Sequence, residues 1–427
     1  MGRSAPAIRA RPRQPGLAQQ DARLRLHRAD FVVWRPDQLI AFGGAATGPS
    51  GDAVQPPRPR RLSIRRMIPR RPARAEVVGS LLRPAELRAA VEKHADAAHL
   101  GAVADAAIER VVRRQTEIGL DVVSDGEFRR WMFLNSFYDA VEGIATDRSA
   151  VEFTNERGET VVLTVPSIEV RLRQVDSPAA REAAFMARLT EHPFKVSFPA
   201  ASLFVHPLGV SPDAYATTDE FIDHAIAIER GLIADAIEAG CRYVQLDFPL
   251  YPYLVDRDWS ARFEAAGHTA SELLEKALAA DKAIVEEIPD GVTTGLHLCR
   301  GNYRSRWICA GSLEPVADRL FGELPYDVFL IEWDDVDRDG GYEPVRFTPP
   351  GRIVALGLIS SKRRDLESED EVLRKLHEAA RHLPLDQLAV STQCGFASVI
   401  DGNEIDEETQ WRKLELVARV ADRVWPR

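Results

Sequence analysis

From about residue 75 onward the chain repeats one unit, a short apolar run of β character followed by a longer stretch with helically spaced apolar residues. The β-type runs are 75–80, 120–125, 194–199, 242–247, 293–299, 328–332, 352–359 and 388–394. Helical periodicity fills most of the gaps, at 85–96, 102–118, 217–239, 269–287, 312–321, 369–382 and 405–424. In 217–239, Thr217 or Thr218 can cap the first turn, Glu220 sits within it, and Gly240 can end the helix. Strands separated by helices form a parallel sheet, and eight such units predict a closed (β/α)8 TIM barrel, an α/β fold spanning 71–427 as one domain. An open doubly wound sheet is the competing arrangement, but no Gly-x-Gly-x-x-Gly turn follows the first run. One stretch breaks the repeat. Residues 149–175 read as a β-hairpin turning near Asn155–Gly158, inserted after the second strand at one rim of the barrel.

Polar residues gather where the apolar runs end. His297 and Cys299 stand two apart, so on a strand the imidazole and the thiol point to one face. Glu332 closes Val-Phe-Leu-Ile-Glu, and Cys394 closes Leu-Ala-Val-Ser-Thr-Gln-Cys. A carboxylate ending an apolar strand is costly to bury unless something compensates its charge. One imidazole, two thiols and one carboxylate suit a tetrahedral zinc site, and suit iron–sulfur or magnesium chemistry poorly. The bland alternative is that free buried cysteines act as small hydrophobes, which is how Cys241 and Cys309 are read. Ser80, Glu127 and Asp247 also fall at strand ends, on the rim where barrel active sites lie.

The first seventy residues are of another kind. They carry 14 Arg and no Lys against 4 acidic residues, about +10, whereas the rest carries 41 basic and 61 acidic residues, about −20. Rich in Arg, Pro, Gly and Ala, segment 1–70 buries too little to offset its ordering entropy and is expected to be a disordered extension. A transit peptide and a nucleic-acid-binding arm are the alternatives, and Met67, directly before the globular pattern, is a candidate true start. The acidic body offers no general surface for nucleic acid. No apolar run approaches the roughly 20 residues a membrane helix needs, so no membrane partner is expected. Four cysteines without paired spacing suit a reducing cytoplasm.

Several motifs carry a family resemblance. His-Leu-Cys-Arg-Gly-Asn (297–302), Phe-Leu-Ile-Glu-Trp-Asp (329–334) and Ser-Thr-Gln-Cys-Gly-Phe (391–396) resemble the zinc-site motifs of cobalamin-independent methionine synthase. Asp-Val-Val-Ser-Asp-Gly-Glu-Phe (121–128), Val-Gln-Leu-Asp (244–247) and Val-Gly-Ser (78–80) resemble its other landmarks, in the same order over roughly 75–425. The resemblance implies that His297, Cys299, Glu332 and Cys394 hold Zn2+, that Ser80 binds the carboxylate of an amino-acid thiol such as homocysteine, and that Glu127 and Asp247 bind its ammonium. Two departures stand out. The family's proton-donating histidine after the seventh strand is replaced by Gly-Leu-Ile-Ser-Ser-Lys (357–362), which makes Ser360 and Lys362 the catalytic candidates. The family's Asp-Glu-Pro after the fourth strand is Asp-Phe-Pro here (247–249).

The implied partners are a small-molecule thiol and a methyl donor, and the implied activity is zinc-dependent methyl transfer to homocysteine. A zinc lyase of the same superfamily, joining a thiol to an opened epoxide, is the alternative. A zinc hydrolase fits a two-thiolate ligand set poorly, and a purely structural zinc has no use for Ser80, Glu127 and Asp247.

Overall fold

The computed structural model describes residues 72–154, 160–206 and 209–426. The expected disordered extension 1–70 and the hairpin turn at 155–158 lie outside the described residues.

The strands in chain order are β1 (Ala75–Glu76), β2 (Val141–Thr154), β3 (Thr160–Gln174), β4 (Val196–Pro199), β5 (Gly209–Val210), β6 (Tyr243–Asp247), β7 (Thr293–Leu298), β8 (Val328–Glu332), β9 (Ile353–Ile359) and β10 (Leu388–Thr392). Seven of them form one parallel sheet in the order β1-β10-β9-β8-β7-β6-β4. The sheet is curled, and its pleat shows it. Val328, Leu330, Ile353, Ala355 and Ala389 pack with Val78, Val122 and Tyr243 in a small apolar cluster of their own. Their neighbours Phe329, Ile331, Val354, Leu356, Leu388 and Val390 pack instead into the large core beneath the helices. Alternate residues of one strand thus serve two cores, one enclosed by the sheet and one between sheet and helices.

The expected second strand is present only as isolated parallel bridges, Glu76 to Val122 and Val123 to Phe194. The Asp121 carboxylate takes the place of a backbone partner here, accepting from the amides of Arg74 (2.8 Å) and Ala75 (3.1 Å). Val123 then bonds across to the chain entering β4, with its amide on Pro193 (3.0 Å) and its carbonyl taking the Lys195 amide (3.1 Å). Segment 120–125 therefore lies between the two edge strands of the ladder.

The insertion is an antiparallel hairpin of β2 and β3, longer than expected because pairing begins at Val141; β5 adds to β3 in parallel. The helices Ala97–Ile118, Thr218–Glu238, Ala270–Glu286, Glu369–Ala379 and Glu407–Val424 match the helical periodicity. Helix Pro178–Leu189 was not expected, although Ser177 precedes it and Pro178 occupies its first turn, the position proline tolerates best. Among the described residues no helix is long and apolar enough to cross a membrane.

Candidate active site

The pleat that buries Leu330 inside the sheet also aims the functional side chains. Leu330 pairs in register with His297, and His297 with Asp247, so these three face the same interior. Glu332 lies two residues beyond Leu330 on that face, at the end of β8. His297, Cys299 and Cys394 converge there, their ligating atoms all within 4.8 Å of one another. The two sulfurs are 3.6 Å apart. His297 Nδ1 lies 3.1 Å from the Leu330 carbonyl, which orients the ring, and Nε2 is buried with no partner. An orphaned imidazole nitrogen beside two buried thiols is the donor set a thiophilic divalent metal takes, so the residues fit such an ion.

The electrostatics agree with this fit. The contact with Cys299 holds Cys394 well below the ordinary thiol range, with help from His297, while Cys394 pushes Cys299 well above it. Burial works against an imidazolium at His297, but Cys394 outweighs it and the net shift is upward. A cation on these three atoms would replace protons that crowd together in its absence.

Glu332 is fully buried and turned to a different set of partners. Its Oε1 accepts from Lys362 Nζ (2.7 Å) and pairs with Arg338 Nη1 (2.9 Å), while Oε2 accepts from the Arg300 amide (2.8 Å). Burial alone would raise this carboxyl, but Lys362 and Arg338 hold it ionised, well below its usual range. Lys362 is raised in turn, because Glu332 outweighs the opposing effect of burial. Ser360 is buried behind Lys362, its Oγ accepting the Lys362 amide (3.3 Å) and its own amide bonding Glu367 (2.9 Å). Of the four implied ligands, three are brought together, and the fourth lies beside them on a cation pair.

The other rim residues form a polar cradle. Glu127 adopts φ 58°, a left-handed conformation rare for a non-glycine residue, and its amide is caught by Asp125 Oδ1 (2.8 Å). Its Oε1 accepts from Ser197 Oγ (2.9 Å), which accepts from Arg130 (2.9 Å), and its Oε2 is buried without a partner. Asp247 Oδ1 accepts from Gln245 Nε2 (2.7 Å). Burial, reinforced by Glu127 and opposed by His297, pushes the Asp247 carboxyl up to about 7. Ser80 Oγ accepts from the Ala397 amide (3.2 Å), and the Ser80 carbonyl takes the Phe396 amide (2.7 Å). Gly395 makes this approach possible, since a Cβ there would stand 2.4 Å from Ser80 Oγ.

Several contributors were not read from the sequence. Arg338 follows Glu332 by six residues on a short helix, a spacing without a signature. Arg130 pairs with Glu182 of the unexpected helix at 2.9 Å. Gln245 had a usable signal, standing two residues before Asp247 on one strand and so on the same face. Phe248, at φ 65°, packs edge-on against Phe133 (5.7 Å) and Tyr253 (5.6 Å).

Comparison with known proteins places the chain. The family described as "Cobalamin-independent synthase, Catalytic domain" matches residues 77–407. The uncharacterized protein YxjH of Bacillus subtilis is 33% identical over 374 residues, covering 83% of this chain and 95% of that protein. YxjG of the same organism is 32% identical over 379 residues, covering 85% and 97%. Among solved structures, a putative vitamin-B12 independent methionine synthase from Listeria monocytogenes superposes with a TM-score of 0.65 at 26% identity, covering 84% of this chain and 99% of that one. A B12-independent methionine synthase from Shewanella, solved in complex with selenomethionine, shares the fold with a TM-score of 0.62 at 18% identity. The chain belongs to the family of cobalamin-independent synthase catalytic domains.

Proposed function

We propose that this protein is a zinc-dependent thiol methyltransferase that takes an amino-acid thiol of the homocysteine type, and that residues 71–427 form one (β/α)8 barrel closed by segment 120–125. The observation that carries this reading is the meeting of His297 Nε2, Cys299 and Cys394 at the sheet's C-terminal rim, the face that also holds the unpartnered Glu127 carboxylate oxygen and Asp247. Zinc, when bound to His297, Cys299 and Cys394, supplies a Lewis acid that lowers the pKa of a substrate thiol and holds it as thiolate. Glu127 and Asp247 fix the ammonium end, and Ser80 with the backbone around Gly395 takes the carboxylate. Both acids act as acceptors for a cation rather than as proton relays. Lys362 and Ser360 occupy the place of the family's proton donor, with Lys362 as the cation next to the reacting region. The methyl donor meets Phe133 and Phe248 in place of a second acidic residue. Four free, buried thiols among the described residues suit a reducing cytoplasm.

Elemental analysis should find about one zinc per chain, lost in a Cys299→Ser/Cys394→Ser variant. The zinc-loaded protein is then offered homocysteine with methyltetrahydrofolate, methylcobalamin or small epoxides. Methionine formation supports the methyltransferase. Consumption of an epoxide by a thiol without an amine, and no methionine from any donor, would move the activity to the thiol–epoxide class. Full zinc retention by the double serine variant would sink the metal assignment.

A further inference from the structure

We infer that Ser197 is a positioning residue for the ammonium end of the substrate: its hydroxyl occupies Oε1 of Glu127, Arg130 fixes the direction of that hydroxyl, and Oε2 alone is left for the ligand. This rests on the reading of Glu127 given above and deepens it, by naming what makes one oxygen of that acid available and so sets the preference for an amine-bearing thiol.

The first argument counts protons. A guanidinium can only donate. Arg130 Nη1 lies 2.9 Å from Ser197 Oγ, so the hydroxyl accepts there, and its single proton is free for Glu127 Oε1, also at 2.9 Å. The direction of the relay is therefore forced, and a hydroxyl polarised by a cation is the stronger donor. Glu127 Oε2 is buried and has no partner. A buried carboxylate oxygen without a donor is costly unless a ligand supplies one.

The second argument is charge. The side chains of Arg130 and Glu182 are only 3% and 4% exposed, and they meet as a fork, with Nε on Oε1 (2.9 Å) and Nη2 on Oε2 (2.5 Å). Nη1 is shared between Ser197 and the Phe133 carbonyl (3.1 Å). Glu182 thus takes up the charge of the arginine, and only a neutral hydroxyl reaches Glu127. A direct Arg130–Glu127 pair would satisfy the same oxygen, but it would also offset the charge that attracts an ammonium. Ser197 satisfies the oxygen and leaves the charge in place.

The third argument is the surroundings. Ser197 on β4 pairs in register with Gln245 on β6, so the two side chains share one face of the sheet. Gln245 does for Asp247 what Ser197 does for Glu127, since its Nε2 donates to Asp247 Oδ1 (2.7 Å). Adjacent strands thus set one neutral donor against each acid. Gly79 leaves room for the arrangement, because a Cβ there would stand 3.1 Å from Glu127 Oε1. Arg83 Nη2 bonds the carbonyls of both Glu127 (2.7 Å) and Arg130 (2.8 Å), so the acid and the guanidinium are fixed as one unit.

The test is calorimetric titration of the full-length, zinc-loaded protein and its Ser197→Ala and Ser197→Thr variants with two thiols, homocysteine and γ-mercaptobutyrate, the same thiol acid without the amine. The wild type should prefer homocysteine by about tenfold or more. Ser197→Ala should lose about tenfold in homocysteine affinity, the worth of a charge-assisted hydrogen bond, and keep its affinity for γ-mercaptobutyrate within about twofold. Ser197→Thr, which retains the hydroxyl, should restore the preference. A preference unchanged in Ser197→Ala, or a loss shared equally by the two thiols, would overturn the positioning role and leave the amino-acid reading of Glu127 standing. Equal binding of both thiols by the wild type would overturn that reading and this inference together.

Discussion

Two non-glycine residues on the rim, Glu127 (φ 58°) and Phe248 (φ 65°), hold left-handed backbone conformations. Such conformations cost on the order of 1 kcal/mol or more and persist where surrounding contacts over-determine them. At Glu127 those contacts are the Asp125 turn and the Arg83 guanidinium on its carbonyl (2.7 Å). At Phe248 it is the amide bonded to the carbonyl of His297 (3.2 Å). The strain at Glu127 thus sets a candidate substrate-binding carboxylate, and that at Phe248 ties the chain after β6 to the backbone of His297. If Glu127 and Asp247 hold an ammonium, Asp247→Asn should weaken homocysteine binding on the order of 10- to 100-fold, the worth of a charge-assisted hydrogen bond, with zinc content unchanged. Calorimetric titration of the zinc-loaded variant checks this, and equal affinity in both Asp247→Asn and Glu127→Gln would remove the amino-acid assignment. At this scale the sequence was most readable where chemistry is carried by rare residue types at fixed offsets, as with His297 and Cys299. It was least readable for partners supplied across space. Arg338 and Ser197 are ordinary residues until the fold sets them against Glu332 and Glu127.

Among elements, the layer of helices holds one group the site does not use. Glu229 on helix Thr218–Glu238 is fully buried, and neither carboxyl oxygen has a partner. Asp281 on helix Ala270–Glu286 is its acidic neighbour, with oxygens already taken by the Ser202 amide and the Tyr251 hydroxyl, each at 2.7 Å. Burial first, then Asp281, pushes the Glu229 carboxyl well above its ordinary 4.5. The sign follows from linkage. Below about pH 4.5 the group is protonated in both states and costs nothing extra. As pH rises toward the folded-state pKa the unfolded chain ionises and the folded one does not, so stability is lost. Glu229→Gln removes that loss, and thermal melts should show a gain in Tm that is absent below about pH 4.5 and grows as pH rises above it. A gain independent of pH would mean that Glu229 does not titrate. The elements themselves were legible wherever periodicity ran long, as in the helices on either side of Glu229. Helix Pro178–Leu189 was missed because its buried face, Ala179, Glu182, Ala183 and Met186, sets a carboxylate among small residues. Strand 120–125 shrank to bridges, with the Asp121 amide on the Ala75 carbonyl and its carboxylate taking the amides of Arg74 and Ala75.

At the scale of the whole molecule, the seam between β1 and β4 sets how well the curled sheet holds its rim in place. The hydrogen-bonded ladder ends at these two strands, and the bridges of Val122 and Val123 are a thin connection. A second connection lies inside the sheet, where Lys195 Nζ, from the residue before β4, meets Glu76 Oε2 of β1 at 2.6 Å. Both side chains are almost wholly buried, and the Tyr243 hydroxyl adds a long bond to Glu76 Oε1 (3.4 Å). An exposed pair of this kind is worth under about 1 kcal/mol, whereas removing one partner of a buried pair leaves an uncompensated charge and costs about 3–5 kcal/mol. Lys195→Met should therefore lower stability by that larger amount in denaturant titration. Glu76→Gln/Lys195→Met should recover most of the loss, because no buried charge is then left unpaired. The same seam carries segment 120–125, whose continuation places Glu127 on the rim, so if the chain binds homocysteine and zinc as proposed, Lys195→Met should also weaken homocysteine binding while zinc at His297, Cys299 and Cys394 is retained. A loss below about 1 kcal/mol would show that the pair contributes no more than a surface bridge and that the Val122 and Val123 connections close the sheet unaided.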